Sequence, residues 1–285
     1  MGWRGMKVYL SVDMEGVTGL TDPEEMHAGK RGYERGCELM TADANAAIEG
    51  AFDAGATSVL VNDAHGSTKN LRIDLLDPRA TLVRGPGKSQ RMAQGLDASF
   101  DAAMFVGYHA RAGVQHGVLN HTWMGKEIQN VFLNGEPCGE TRLVAACAGF
   151  HGVPVALVTG DEAVGREAAE LLGEVETVAV KKGIDKFSAE LLPPSVAQAR
   201  IREGAARALG RLSGFTPYET DRSYTLGVEW NSTAIAAACG LVPGVKQTGA
   251  REIEFATDDF TQIMALMGLF ATIGGQVACG SGPYG

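Results

Sequence analysis

Short apolar runs recur along this chain, and three of them stop abruptly at acidic or imidazole side chains. KVYL leads into Ser11-Val12-Asp13-Met14-Glu15-Gly16, SVLV into Asn62-Asp63-Ala64-His65-Gly66, and AAMFV into Gly107-Tyr108-His109-Ala110. Runs this short suit buried strands. They alternate with longer amphipathic stretches, the pattern of an α/β fold with a mostly parallel sheet flanked by helices. Strands are expected at 7–12, 58–62, 81–84, 103–107, 155–159 and 177–181, with a helix over 33–54 that Gly55 ends. Further on, 129–133 reads as a strand entering a hairpin turn at Asn134-Gly135. Helices are expected at 140–150, 195–212, 232–239 and 260–273, with strands at 223–229 and 251–256. Pro193-Pro194 and the stretch 214–217 mark the expected seam between a larger α/β lobe, 1–192, and a smaller α+β second lobe, 193–285.

In an open parallel sheet the carboxyl ends of the strands form the crevice where ligands bind, so side chains far apart in sequence converge there. Asp13 and Glu15 are two residues apart and project to the same side of an extended segment, about 7 Å apart at the backbone. Two ionised carboxylates held that close repel each other unless a cation lies between them. Taken singly, Asp13-Glu15 also fits a polar turn, and His65 or His109 a hydrogen-bonded structural histidine. The repetition at three successive strand ends favours metal binding and makes 1–192 the metal-binding lobe. Glu140 is a fifth candidate, although a carboxylate at a helix start is equally suited to the helix dipole. Oxygen and imidazole donors without thiolates suit catalytic zinc, and would also accept Mn²⁺ or Co²⁺.

Charge and cysteine usage narrow the partners. With 34 acidic and 25 basic residues the formal net charge is −9, which disfavours nucleic acid or an anionic membrane as a partner. Five scattered cysteines form no CxxC pair, so buried free thiols in a reducing compartment are expected. The N-terminal residues lack the apolar stretch of a secretion signal, and the late apolar segment 263–273 is short for a membrane span. A cytoplasmic location follows as the expectation. Gly85-Pro86-Gly87-Lys88-Ser89 resembles the end of a P-loop but has Leu82 where the first glycine belongs. The GxGxxG at Gly280–Gly285 has no helix after it, and HExxH and GxSxG motifs are absent.

The strings SVDMEGVTGL, GKRGYERGCELMT, VLVNDAHG, GYHARAG, LNHT and NGEPCGE resemble, in order and spacing, the zinc-dependent D-aminopeptidases of dipeptide-transport operons. The resemblance is close from Met6 to Gly160 and looser to Gly275. It implies a site for two Zn²⁺ per subunit: Asp13 bridging both, Glu15 and His109 on one, His65 and Glu140 on the other. It also implies a catalytic histidine at His121, within Asn120-His121-Thr122, in preference to His116. A ring-shaped homo-oligomer, a decamer, is implied in the same way.

The reaction these residues suggest is hydrolysis of an amide bond in a short peptide or amide, with a metal-bridging hydroxide attacking the carbonyl and His121 handling the proton. The family resemblance implies release of N-terminal D-residues such as D-Ala. Two other readings keep the metals: an amidohydrolase acting on L-peptides or small amides, and a non-catalytic metal-dependent binding protein.

Overall fold

The computed structural model describes residues 5–220 and 223–280; the last five residues of the GxGxxG string lie outside that range. In chain order the strands are β1 (Met6–Val12), β2 (Ala56–Asp63), β3 (Ala80–Val83), β4 (Ala102–Tyr108), β5 (Ile128–Leu133), β6 (Glu136–Pro137), β7 (Val155–Asp161), β8 (Glu176–Asp185), β9 (Ser188–Leu191), β10 (Tyr224–Trp230), β11 (Lys246–Gln247) and β12 (Glu252–Thr257). The helices are α1 (Tyr33–Asp53), α2 (Glu140–Phe150), α3 (Glu162–Leu172), α4 (Pro194–Gly210), α5 (Thr233–Cys239) and α6 (Phe260–Gly280). The expected fold class is the one found. Seven strands form one sheet in the order β3-β2-β1-β4-β7-β8-β9, parallel except for β9, and five form an antiparallel sheet, β11-β12-β10-β5-β6.

Alternation along the central strands sorts side chains between two cores. Val8, Leu10 and Val12 of β1, with Met104 and Val106 of β4, pack into the core under α1 and α4. Tyr9, Ala103 and Phe105 face the other way, into the core shared with α2, α6 and the antiparallel sheet. Both faces of β1 and β4 are therefore buried, which is why these strands read as continuous apolar runs.

The chain runs outward from β1 through β2 to β3, then returns to lay β4 on the other side of β1. The carboxyl ends of β1 and β4 thus flank the point where strand order reverses, the usual place for a ligand crevice. Here the two backbones run very close: Asp13 N–H donates to Val106 O and Gly16 N–H to Gly107 O, both at 2.8 Å. Gly107 has φ 71°, and a Cβ there would lie 2.4 Å from Asp13 O; a Cβ on Gly16 would lie 1.9 Å from Tyr108 O. Only glycine permits this approach.

Three expectations are corrected. The seam at Pro193-Pro194 does not divide the packing: α4, just beyond it, buries Ala197, Ile201, Ala205 and Ala208 in the first core, while β5 and β6 from the N-terminal part build the second sheet. Lobe membership follows which sheet an element covers, and proline pairs do not report that. The last helix is longer than 260–273, continuing to Gly280 through residues that carry no helix breaker stronger than glycine. By length and composition α6 is long and apolar enough to cross a membrane, yet Phe260, Ile263, Met264, Met267 and Phe270 are buried in the second core. Cys37, Cys138, Cys147 and Cys239 are buried free thiols as expected, whereas Cys279 is exposed.

Gly16→Ala is expected to lower stability by roughly 2–3 kcal/mol, because the new methyl collides with backbone that cannot retreat. Urea unfolding of the purified variant against wild type measures this.

Candidate metal centre

The carboxyl ends of β1, β2 and β4, with the start of α2, bring Asp13, Glu15, His65, His109 and Glu140 into one cluster, and the loop after β4 adds His121. Among the described residues three trios have donor atoms within 4.8 Å of one another: Asp13-Glu15-His65, Asp13-His109-Glu140 and Glu15-His109-His121. Asp13, Glu15 and His109 each belong to two of them. His65 Nδ1 lies 3.1 Å from Glu15 Oε2 and 3.3 Å from Asp13 Oδ1; His109 Nε2 lies 3.5 Å from Asp13 Oδ2 and from Glu140 Oε2. Glu15 shares one trio with His65 and another with His109, the imidazole that the family resemblance sets with it. His116 is exposed, bonded through Nδ1 to Ile184 O, and takes no part.

The backbone fixes which nitrogen each imidazole presents. A carbonyl can only accept, so the ring nitrogen facing it must carry the proton. His65 Nε2 faces Met26 O at 3.2 Å, His109 Nδ1 faces Ala110 O at 3.0 Å and His121 Nδ1 faces Leu119 O at 2.9 Å. In each case the other nitrogen points at the carboxylates. Orientation of an imidazole by a carbonyl behind it is how metal-bound histidines are held. Asp13 Oδ2 and His109 Nε2 are both buried without a hydrogen-bond partner, and they face each other. Lone pairs converging from three carboxylates and these rings fit a cation between them.

Without a metal, charge must balance otherwise. Burial, then the charge of Glu15, raises the Asp13 pKa to about 7. Burial also opposes ionisation of Glu15 and Glu140, but neighbouring imidazoles outweigh it and hold both low: chiefly His65 for Glu15, and His109 for Glu140. His65 and His109 are raised well above the ordinary value, since Glu15 and Glu140 overcome the effect of burial on each. Protons therefore stand where cations fit. His121 differs: burial and the neighbouring His109 lower its pKa, keeping it neutral. Its ring stacks on that of His109, with centroids 4.2 Å apart and planes 7° from parallel.

Other buried groups hold this arrangement without joining it. Asp63, next to the His65 turn, spends its carboxylate on the N–H groups of Asn70 and Leu71. Glu140 Oε1 accepts from Trp123 N–H at 2.6 Å, tying the helix start to the His121 loop. That loop contains His116, Leu119 and Trp123 at φ 60°, 55° and 65°, three non-glycine residues in the left-handed region. It is pinned by Asp161, whose Oδ2 accepts from Val118 N–H, and by Lys186 O, which accepts from Leu119 N–H. Lys181, buried on β8, donates from Nζ to the carbonyls of Glu15, Val17 and Leu20 at 2.6–2.9 Å, and burial lowers its pKa to about 8. Sequence reasoning missed Lys181; a lysine inside the apolar run VAVKKG was the available signal.

The cluster forms one wall of a cavity of about 700 Å³, with Trp123, Met124 and Phe187 among its apolar lining. The size suits a short peptide.

Comparison with known proteins gives concordant results. The D-aminopeptidase family profile (peptidase M55) matches residues 6–269. A D-aminopeptidase from Bacillus subtilis (strain 168) is 39% identical over 263 residues, 92% of this chain and 95% of that protein. The structure of the zinc-dependent D-aminopeptidase DppA from Bacillus subtilis, a self-compartmentalizing protease, superposes with a TM-score of 0.92 at 37% identity, covering 95% of this chain and 98% of that one.

Asp13→Asn is expected to abolish metal retention, measured by elemental analysis of the purified protein. It also removes a penalty from the metal-stripped fold. A buried carboxyl with its pKa raised to about 7 destabilises the folded state fully above pH 7 and not at all below about pH 4. The chelated variant should therefore match or exceed chelated wild type in urea at pH 8, with the difference vanishing near pH 4.

Proposed function

Because the chain belongs to the D-aminopeptidase family of zinc metallopeptidases, we propose that it is a two-zinc enzyme releasing N-terminal D-amino acids, such as D-alanine, from short peptides or amides. The observation that carries this reading is the set of three imidazoles, each backed by a carbonyl, facing three buried carboxylates in overlapping trios of donor atoms. Asp13, Glu15, His65, His109 and Glu140 would hold the two ions between them. When bound, the zinc ions supply Lewis acidity toward the scissile carbonyl and acidify a water.

The protein's own contribution to proton transfer is His121. Its Nδ1 proton is committed to Leu119 O, so Nε2 is a free base, 3.8 Å from Glu15 Oε1 at the cavity wall. A neutral imidazole there takes a proton from the attacking water and returns it to the leaving amine. Its depressed pKa keeps it in the accepting form at neutral pH. Stacking on His109 holds the ring plane, so the basic nitrogen keeps one direction through the cycle. The acidic wall also provides a counter-charge for the free amino terminus of an aminopeptidase substrate, which amides and peptides share.

We place the enzyme in the cytoplasm, as an oligomer, with the relative's self-compartmentalizing assembly as precedent. The solvent-facing side of α6, including Leu269 at 43% exposure, is an apolar surface suited to subunit contact. A decamer is the expected stoichiometry, to be read by sedimentation velocity; a monomer at micromolar concentration would contradict it.

Steady-state rates on D-Ala-D-Ala and L-Ala-L-Ala test the substrate class, and the D-isomer is expected to be hydrolysed preferentially. Exhaustive chelation should abolish activity and added Zn²⁺ restore it. His121→Ala should keep its zinc and lose on the order of 10²- to 10⁴-fold in kcat, the usual size of a general acid–base contribution. Full activity in that variant would remove His121 from the chemistry.

A further inference from the structure

Arg91 lines the same cavity as the carboxylate–imidazole cluster, and nothing in the proton chemistry uses it. It lies in a short 3₁₀ turn, Arg91–Ala93, with φ 48°. A long unbranched side chain gains nothing from that left-handed conformation, which persists only where surrounding structure over-determines it. Here four hydrogen bonds from three side chains do so. Asn62 Nδ2 donates to both Arg91 O at 3.0 Å and Met92 O at 2.8 Å; Ser11 Oγ and Tyr9 Oη also donate to Met92 O, at 2.8 and 3.1 Å. Ser11 and Asn62 belong to the strands whose next residues deliver Asp13 and His65. The backbone of Arg91 is thus bolted to the strand ends that build the cluster, and its side chain lines the same cavity.

The guanidinium has one protein partner, Gly268 O on α6, at 2.9 Å from Nη2. Among the described residues no carboxylate lies within ion-pair distance of it, although the chain carries an excess of nine acidic groups. The nearby Lys88 is spoken for by Asn62 Oδ1 and Asp63 O. Gly268 leaves room for the guanidinium, whose Nε would be 2.1 Å from a Cβ at that position. A half-buried, permanently charged fork with unused donors faces a cavity whose other wall is acidic.

We infer that Arg91 receives the C-terminal carboxylate of the substrate, making this enzyme selective for dipeptides with a free acid end. The inference rests on the aminopeptidase reading above. In a dipeptide the carboxylate lies one residue beyond the scissile carbonyl, about 3.8 Å along the backbone. Acid wall and arginine then read the two charged ends of one zwitterion. Arginine pairs with a carboxylate through two parallel hydrogen bonds, which an amide cannot reproduce.

The test uses full-length, zinc-loaded protein and compares kcat/KM for D-Ala-D-Ala with that for D-Ala-D-alaninamide. Wild type should favour the acid by on the order of 10- to 100-fold, the range for a charged hydrogen-bonded pair. R91M should bring that ratio toward one, chiefly by raising KM for the acid, while R91K keeps part of it. Zinc content and the urea midpoint check that the variants fold. Lys186, a half-buried lysine that also lines the cavity, supplies the control. An unchanged ratio in R91M, or a ratio lost in K186M instead, overturns the assignment. Wild type needs no substitution to be informative: turnover of both substrates without preference for the acid sinks the role of Arg91 alone. Failure to turn over either substrate sinks the aminopeptidase reading and the arginine with it.

Discussion

Three carboxylates buried in one cluster repel each other, and the molecule is built to keep them together against that force. Asp13 and Glu15 are held by the junction of β1 with β4, where two glycines let the backbones touch. Glu140 is held by a helix start and a backbone N–H. Confinement makes the cluster costly without a counter-charge, and the same confinement would favour a divalent cation, since neither the charges nor the imidazoles would need to reorganise. Lys181 contributes at one remove. Its ammonium gathers three carbonyls of the 15–20 turn, so the segment that carries Glu15 is fastened from β8.

Much of this was legible in the sequence because one physical pattern served both fold and site. Apolar runs that stop at Asp13, His65 and His109 mark strands buried on two faces and, at the same time, the strand ends that open into the crevice. The helix at Glu140–Phe150 was readable from its hairpin and its acidic start. The short strand β9 and helix α3 went unrecognised: α3 begins immediately after β7, with Asp161 as its cap, so no loop separates the two periodicities. The proline pair misled about lobes because it marks a turn in the chain, whereas lobe membership depends on which layer receives α4.

Residues whose importance is purely tertiary could not be read this way. Lys181 interrupts an apolar strand and has meaning only because three carbonyls from another segment point at it. Arg91 is an ordinary charged residue in sequence; its strained backbone and the single bond of its guanidinium exist only once Ser11, Asn62 and Gly268 are brought around it.

The loop that carries His121 keeps three bulky residues in a backbone region where glycine or asparagine would rest more easily. Such a segment is a place where durability and turnover pull apart. Glycine at Leu119 or Trp123 would relax the local geometry while letting the imidazole wander. Selection for thermal robustness alone would therefore be drawn toward changes that blunt the enzyme, and a lineage under pressure for both would have to find its gains in the helical layers instead.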